Sequence, residues 1–397
     1  MPASPSPVLI AGGGIGGLAL ALALARRRMP SCILERREAF SEAGAGIQIG
    51  PNGMRVLALF GADRLLEPTA AKPDAIHVRE ARHGNRLASL PLGAWIARRH
   101  GAPYLVAHRA DLQAALLSRV REEPLIEVST GFEVCDVEDS ASDVHARSAS
   151  GSSRHGMLVV AADGLWSRLR ERVAPATGLV SAGRTAWRAV MPTSALPSGI
   201  DAAATGVWMA PGAHVVHYPV RAGSETAIVV VLEQRFERHE WDSPAEPPQR
   251  QPALQGSSPV LIALLDAARD WRKWGLFTCP ELPSWHAGRL VLLGDAAHPM
   301  LPFLAQGGVM ALEDALALAD ALATRPDAIA EALADYERQR RARVRRVQEA
   351  SHRNGRIYHL TGPLALARDA ALRLTSGERV MAGYDWLYGW RPAAGWQ

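Results

Sequence analysis

Residues 8–28, VLIAGGGIGGLALALALARRR, followed at 31–37 by SCILERR, decide the architecture. Val8–Ala11 is a short apolar run that reads as a buried strand. Gly12–Gly17 is a glycine turn, Leu18–Arg28 reads as a helix, and SCILERR reads as a second strand. The opening is therefore a βαβ unit. Gly12-x-Gly14-x-x-Gly17, with Ile15 and Gly16 inside it, would be a weak signal on its own, because glycines also make ordinary turns. Between a strand and a helix, with Glu35 ending the next strand, it has the context of a dinucleotide site. Glycine lets the backbone approach a pyrophosphate, and the helix N-terminus offers free N–H groups to its charge. Glu35 can accept bonds from ribose hydroxyls; a surface pairing with Arg36 or Arg37 is the plainer alternative.

The chain has 397 residues, 48% of them apolar. That length suggests two domains in contact, with material for a sizeable core. The formal charge of +4 rests almost wholly on arginine, since Lys72 and Lys273 are the only lysines. A weakly positive surface can attract an anionic substrate or cofactor. Cys32, Cys135 and Cys279 are far apart and form no CxxC. This points to a reducing, cytoplasmic setting and away from a metal site or a disulfide framework. MPASPSP has no basic leader, and the apolar stretch after it is broken by glycines, so neither a signal peptide nor a membrane span is expected. The basic segment 336–353, YERQRRARVRRVQEASHR, reads as a solvated or domain-packing helix. Nucleic-acid binding is the sharper alternative, but no aromatic interleaving supports it.

Further along, helices are expected near Asn52 and over 108–120, and MLVVAADG (157–164) reads as a strand ending in a turn. From about Ser181 the texture changes. TAWRAVMP, GVWMAPGAHVVHYPV and ETAIVVVLE alternate as strands of a mostly antiparallel sheet. Residues 242–259 read as a Pro/Ser-rich surface loop. After Leu276 the α/β texture returns. The expected fold is α/β: a discontinuous Rossmann-like domain (1–180 and 281–375) with an inserted sheet domain (181–280), long C-terminal helices and a tail (376–397).

GDAAHPMLPFLAQGG (294–308) follows the apolar run Leu290–Leu293. A lone carboxylate, Asp295, at the end of a buried strand is costly unless it has work to do. One glycine turn holds only the ADP end of an FAD. Asp295 is placed to bond a ribityl hydroxyl. Gln306-Gly307-Gly308-Val309 opens a helix whose positive end can face the flavin edge that becomes negative on reduction. Pro299 and Pro302 stiffen the loop between, and His298 reads as structural. Asp163-Gly164-x-x-Ser167-x-x-Arg170 is a third motif, for which simple helix capping is the plainer alternative.

Together, GGGIGG…LERR, VVAADGLWSRLR and GRLVLLGDAAHPMLPFLAQGG resemble the single-component FAD-dependent aromatic hydroxylases, the class A flavoprotein monooxygenases. GAGIQIGPNG, GAPYLVAHRADLQ and YDWLYGW resemble the branch containing salicylate 1-hydroxylase, 3-hydroxybenzoate 6-hydroxylase and 6-hydroxynicotinate 3-monooxygenase. The resemblance implies FAD as cofactor, NADH or NADPH as co-substrate without a separate nicotinamide domain, and hydroxylation through a flavin C4a-hydroperoxide. It assigns Asp163 and Gly164 to FAD and pyridine nucleotide. Arg109 is assigned to FAD, Gln48 to the flavin's neighbourhood, and Pro302 to the loop beside flavin and substrate. A homodimer is compatible with it; nucleic-acid and membrane partners are not expected. The chain also departs from its branch. The 3-hydroxybenzoate enzymes carry a glutamine at the position of Pro302, and the 6-hydroxynicotinate enzymes carry a histidine where this chain has Phe303.

In GAHVVHYPV (212–220), His214, Val216 and Tyr218 share one face of a strand and His217 points the other way. A histidine near neutral pKa is suited to take the proton of a ring hydroxyl, which makes the ring a better nucleophile. Tyr218 can orient the substrate or relay the proton. In the related branch a His and a Tyr at this spacing line the pocket. Trp187 and Trp208 are candidate pocket walls, although core packing is their plainer reading. Arg188 and Arg221 are candidates for a substrate carboxylate. The expected function is monooxygenation of a small phenolic or hydroxypyridine compound bearing a carboxylate, with salicylate or 3-hydroxybenzoate types favoured. The rivals are a 6-hydroxynicotinate-type decarboxylating hydroxylase, a flavin oxidoreductase without oxygen insertion, and a non-enzymatic nucleic-acid binder.

Overall fold

The computed structural model describes residues 6–40, 46–140, 143–236 and 242–396. Strand Val8–Ala11 is wholly buried. Helix Ile15–Arg26 begins inside the glycine turn rather than at Leu18, with Gly14 as its extended N-cap. Strand Ser31–Leu34 returns parallel to the first. The helix is apolar nearly all round because it is packed on several sides, against helices Arg109–Arg121 and Gly307–Thr324 as well as the sheet.

The first sheet has six strands in the order His286–Ala287, Leu290–Leu292, Leu158–Ala161, Val8–Ala11, Ser31–Leu34, Ile126–Ser129. All neighbours are parallel except the first pair. Leu290–Leu292 lies beside Leu158–Ala161 although much of the chain separates them. That pairing makes this part discontinuous, as the sequence suggests.

The second sheet has eight strands in the order Ser243–Pro244, Arg272–Thr278, Val180–Pro192, Glu225–Leu232, Ala213–Val220, Thr205–Ala210, Ala75–Glu80, Arg86–Pro91. It is antiparallel except where Thr205–Ala210 meets Ala75–Glu80. The last two strands come from 75–91, ahead of the stretch that the alternation singles out. AIHVRE and RLASLP lack a run of β-branched residues, so a partly exposed edge hairpin left little pattern to read. Segment 242–259 is less of a free loop than its composition suggests. Two short 3₁₀ turns anchor it, and Leu254 is fully buried in a second core beneath helix Pro259–Ala267.

The basic segment lies in a long helix, Ile329–Tyr358, and its central arginine points inward. Arg340 is 2% exposed and faces Glu313 and Asp314 of helix Gly307–Thr324, both fully buried. Arg340 Nε donates to Asp314 Oδ1 (2.7 Å) and Nη1 to Glu313 Oε2 (2.8 Å). Arg343 adds two bonds to Glu313 (2.5 and 2.7 Å), and Asn52 Nδ2 donates to Glu313 Oε1 (2.9 Å). Asp314 Oδ2 accepts from Gly294 N (3.2 Å) and lies 2.6 Å from His298 Nε2. Burial pushes the Asp314 carboxyl up, but the charges of His298 and Arg340 outweigh it and hold the pKa below the usual carboxylate value. His298 is thus committed to structure. Among the described residues no helix is long and apolar enough to cross a membrane, and no group of three His, Cys, Asp or Glu could hold a metal ion.

Replacing Arg340 removes the cation shared by two buried carboxylates. Arg340→Ala is expected to lower unfolding free energy by about 3–5 kcal/mol, read from urea denaturation. Because the folded-state pKa of Asp314 is depressed, its contribution is present above the unfolded carboxylate pKa and is lost as pH falls through the folded value. Asp314→Asn should therefore flatten the acid limb of stability against pH; an unchanged limb would contradict the ion cluster.

Candidate active site

A groove opens where the parallel strands end, at the edge where such sheets place ligands. Gly12, Gly14, Ile15, Gly16, Glu35 and Arg36 line it from the first βαβ unit. Arg109, Asp163, Gly164, Asp295, Gly307 and Gly308 line it from elsewhere in the chain. Four of the residues expected at the cofactor, Gly17, Gln48, Pro302 and Val309, do not line it. The glycines divide the labour. Gly12 has φ +114°, and a Cβ there would stand 2.6 Å from Ala162 O. A Cβ on Gly17 would stand 2.0 Å from Gly12 O, so Gly17 shapes the turn rather than the groove. A Cβ on Gly14 would meet nothing within 4 Å, which leaves its backbone open to a ligand. Val309 is buried and packs beneath Gly53.

Glu35 also braces the turn: Oε2 accepts from Gly13 N (2.8 Å) and Oε1 from Arg37 N (3.0 Å). A carboxylate has further lone pairs, so this leaves capacity for a hydroxyl. Gln113 Nε2 donates to Gly13 O (3.0 Å) from helix Arg109–Arg121. The DG turn is fixed by Arg170, which is buried and donates to Leu165 O (2.9 Å), Asp295 O (2.8 Å) and Ala296 O (2.7 Å). Arg170 thereby joins two motifs that lie far apart in sequence. Ser167 Oγ accepts from Arg170 N (3.1 Å), the capping bond that its position suggests.

Asp295 is half-buried beside the start of helix Gly307–Thr324, and its Oδ1 lies 3.8 Å from where a Cβ on Gly307 would stand. The loop before that helix is held from outside. Gln348, Ser351 and Asn354 on helix Ile329–Tyr358 donate to the carbonyls of Pro299 (3.1 Å), Leu301 (2.7 Å) and Phe303 (3.3 Å). Pro302 opens a short 3₁₀ turn and is exposed.

The second sheet supplies the other candidate surface. Registers put Val216, Val229 and Arg188 in one cross-strand row, between the rows of His214 and Tyr218. His214 and Tyr218 are buried, whereas the row between them is half-buried on all three strands. Arg188 Nε is buried without a hydrogen-bond partner, and its guanidinium lies 4.8 Å from the Trp274 ring centre. Arg221, by contrast, is exposed and paired with Glu225 (3.1 Å). Tyr218 OH donates to Gly46 O (3.1 Å) and Tyr104 OH to Gln48 Oε1 (2.5 Å). Gln48 therefore sits in the strand that Tyr218 touches. Gly44 and Ala45, which begin GAGIQIGPNG, lie outside the described residues.

Trp187 and Trp208 are not pocket walls. They share the register row of Val215 and Val230 and pack in the second core on the opposite face. His217 lies on that face too, its ring centre 6.4 Å from Trp208, and burial first of all lowers its pKa to about 3. His214 Nδ1 lies 2.7 Å from Nε2 of His359, a residue that the sequence does not single out because it reaches the site only through the end of the long helix. Burial, then the neighbouring His359 and Arg184, lower the pKa of His214 well below the ordinary histidine value.

Residues 5–351 match the FAD binding domain family. The chain is 34% identical over 384 residues to a 3-hydroxybenzoate 6-hydroxylase of Polaromonas naphthalenivorans (strain CJ2), covering 97% of this chain and 96% of that protein. It is 34% identical over 361 residues to a 6-hydroxynicotinate 3-monooxygenase of Pseudomonas fluorescens, covering 88% and 92%. A solved salicylate hydroxylase substrate complex superposes with a TM-score of 0.84 at 25% identity, covering 99% of this chain and 97% of that one.

The open space at Gly14 allows a sharp test of the groove. Gly14→Ala adds a methyl group where no protein atom stands, so the apoprotein should keep its thermal stability. Its FAD affinity should fall roughly tenfold or more, because the backbone can no longer approach the pyrophosphate. Retained flavin absorbance after dialysis, equal to that of the parent protein, would place the cofactor elsewhere.

Proposed function

The chain belongs to the FAD binding domain family, and on that premise we propose that it is a monooxygenase using FAD, NAD(P)H and O2 to hydroxylate a small carboxylated phenol or hydroxypyridine. The observation that carries this reading is the half-buried row Val216–Val229–Arg188, flanked by His214 and Tyr218 on one sheet face. The groove suits FAD: an open backbone at Gly14, a carboxylate at Glu35, and Asp295 beside the helix that opens at Gly307. When bound and reduced by NADH or NADPH, FAD supplies the activation of oxygen. Both named relatives are hydroxylases of carboxylated hydroxy-aromatics, which supports the substrate class.

In this reading the chain's own residues do the following. Val216, Val229 and the Phe303 turn exclude water from the ring. Arg188, a half-buried cation whose Nε is itself buried without a hydrogen-bond partner, meets the substrate carboxylate; a buried donor left unsatisfied is costly, and a bound anion relieves it. His214 takes the ring-hydroxyl proton. Its lowered pKa keeps it neutral, and so able to accept, at neutral pH. Tyr218, whose O–H is committed to Gly46 O, accepts a hydrogen bond rather than donating one. A dehydrogenating flavoprotein on the same scaffold is the second reading, and neither Arg188 nor His214 has a clear task in it.

Two variants separate these roles. His214→Ala should retain FAD yet lose about 100-fold in coupled hydroxylation, measured as product formed per NAD(P)H consumed. Arg188→Met should raise KM for a carboxylated phenol by about 30-fold or more while leaving uncharged phenols little changed. Since the base acts unprotonated and its pKa is lowered, the parent enzyme's rate should stay flat through neutral pH and fall only below the ordinary histidine range. A fall centred above that range would remove His214 as the base.

A further inference from the structure

Behind His214 the structure continues in a line. His214 Nδ1 lies 2.7 Å from His359 Nε2, and His359 Nδ1 lies 3.0 Å from Glu233 Oε1. The His359 side chain is 2% exposed and that of Glu233 is 51% exposed, so the line runs from the buried sheet face to solvent. Three separate parts of the chain build it: strand Ala213–Val220, the residue that follows helix Ile329–Tyr358, and the residue that follows strand Glu225–Leu232.

We propose that Glu233 and His359 are positioning residues that set the tautomer of His214 and lead its abstracted proton to the surface. The proposal rests on the reading of His214 as the base. Its logic is one of donors and acceptors. A carboxylate only accepts, so His359 must carry its proton on Nδ1 and present a lone pair at Nε2. His214 must then donate from Nδ1, which leaves its Nε2 as a lone pair; among the described residues Nε2 makes no hydrogen bond. That is the state a base requires. On reaction the ring O–H bond breaks and His214 Nε2–H forms. The Nδ1 proton of His214 passes to His359 Nε2, the Nδ1 proton of His359 passes to Glu233, and Glu233 releases it to water. Both histidines end neutral and Glu233 returns to its carboxylate, so the one charge left in the core is that of the deprotonated ring oxygen.

The neighbours suit this task. Arg184 on strand Val180–Pro192 donates to Glu233 (3.3 Å), and its guanidinium lies 5.2 Å from the Phe303 ring centre. Burial works against the charge of Glu233, but the bonds from His359 and Arg184 outweigh it and keep the carboxyl below its usual range. The Tyr358 ring stands 5.2 Å from that of His214, and burial keeps its hydroxyl protonated. His352 and Arg356 share the helix that ends at Tyr358, and the pKa of His352 is lowered by its own burial and then by Arg184 and Arg356.

The test is nitrogen NMR of the FAD-loaded protein labelled at histidine, with signals assigned by their loss in His214→Ala and His359→Asn. The expected result is a proton on Nδ1 of both His214 and His359, and mixed tautomers at His214 in Glu233→Gln. His214 with its proton on Nε2, or an unchanged tautomer in Glu233→Gln, would overturn the proposal. Glu233→Gln should also lower coupled turnover about tenfold, with KM and FAD binding unchanged and the acid limb of the pH profile moved. If His214→Ala destroys coupled turnover while Glu233→Gln leaves rate and profile intact, the base stands and the relay fails. If His214→Ala leaves coupled turnover intact, the base reading itself fails, whatever the tautomers show.

Discussion

Everything at the cofactor end of this molecule depends on one fully buried ion cluster, Glu313 and Asp314 against Arg340. Three ionised groups in an apolar interior are tolerable only when each is paired and its remaining donors and acceptors are used. Here they are used by functional segments. Asp314 takes the amide of Gly294 and pairs with His298, which fixes both ends of the turn that carries Asp295. Glu313 takes Asn52, whose amide also donates to Gln306 (3.0 Å), the residue that caps helix Gly307–Thr324. The cluster thus sets the distance between the carboxylate and the helix end that together make the groove's far wall.

The same long helix connects the groove to the sheet. Arg340 and Arg343 look inward to the cluster, while Gln348, Ser351 and Asn354, further along, grip the carbonyls of the loop 299–303. Its end delivers Tyr358 and His359 to His214. One rigid element therefore sets the helix end, the loop and the histidine in register. This accounts for two arginines of the basic segment 336–353: Arg340 and Arg343 pair inside the protein with Glu313 and Asp314.

Much of this was legible in the sequence, for reasons that differ from residue to residue. The glycine turn was readable because only glycine tolerates φ +114° at position 12 and the close approach at position 17. His214 and Tyr218 were readable because strand periodicity puts them on one face. The hairpin at 75–91 was not, since an edge pair buries too little to impose a pattern. Glu313-Asp314 could have been found by the logic that singles out Asp295, because two adjacent acids stand in a mostly apolar helix. Arg340 as their partner, and His359 as the neighbour of His214, depend on helix packing that no local spacing encodes. Trp187 and Trp208 were ambiguous until the register assigned them to the opposite face.

The account turns on whether oxygen is inserted into a ring. The direct measurement is product analysis after turnover of the FAD-loaded enzyme with NADH, isotopically labelled dioxygen and either 3-hydroxybenzoate, salicylate or 6-hydroxynicotinate. The account predicts a ring hydroxyl bearing the label, in proportion to the NADH consumed, for at least one of these acids. Oxidised product without label, or peroxide alone with all three, would contradict it.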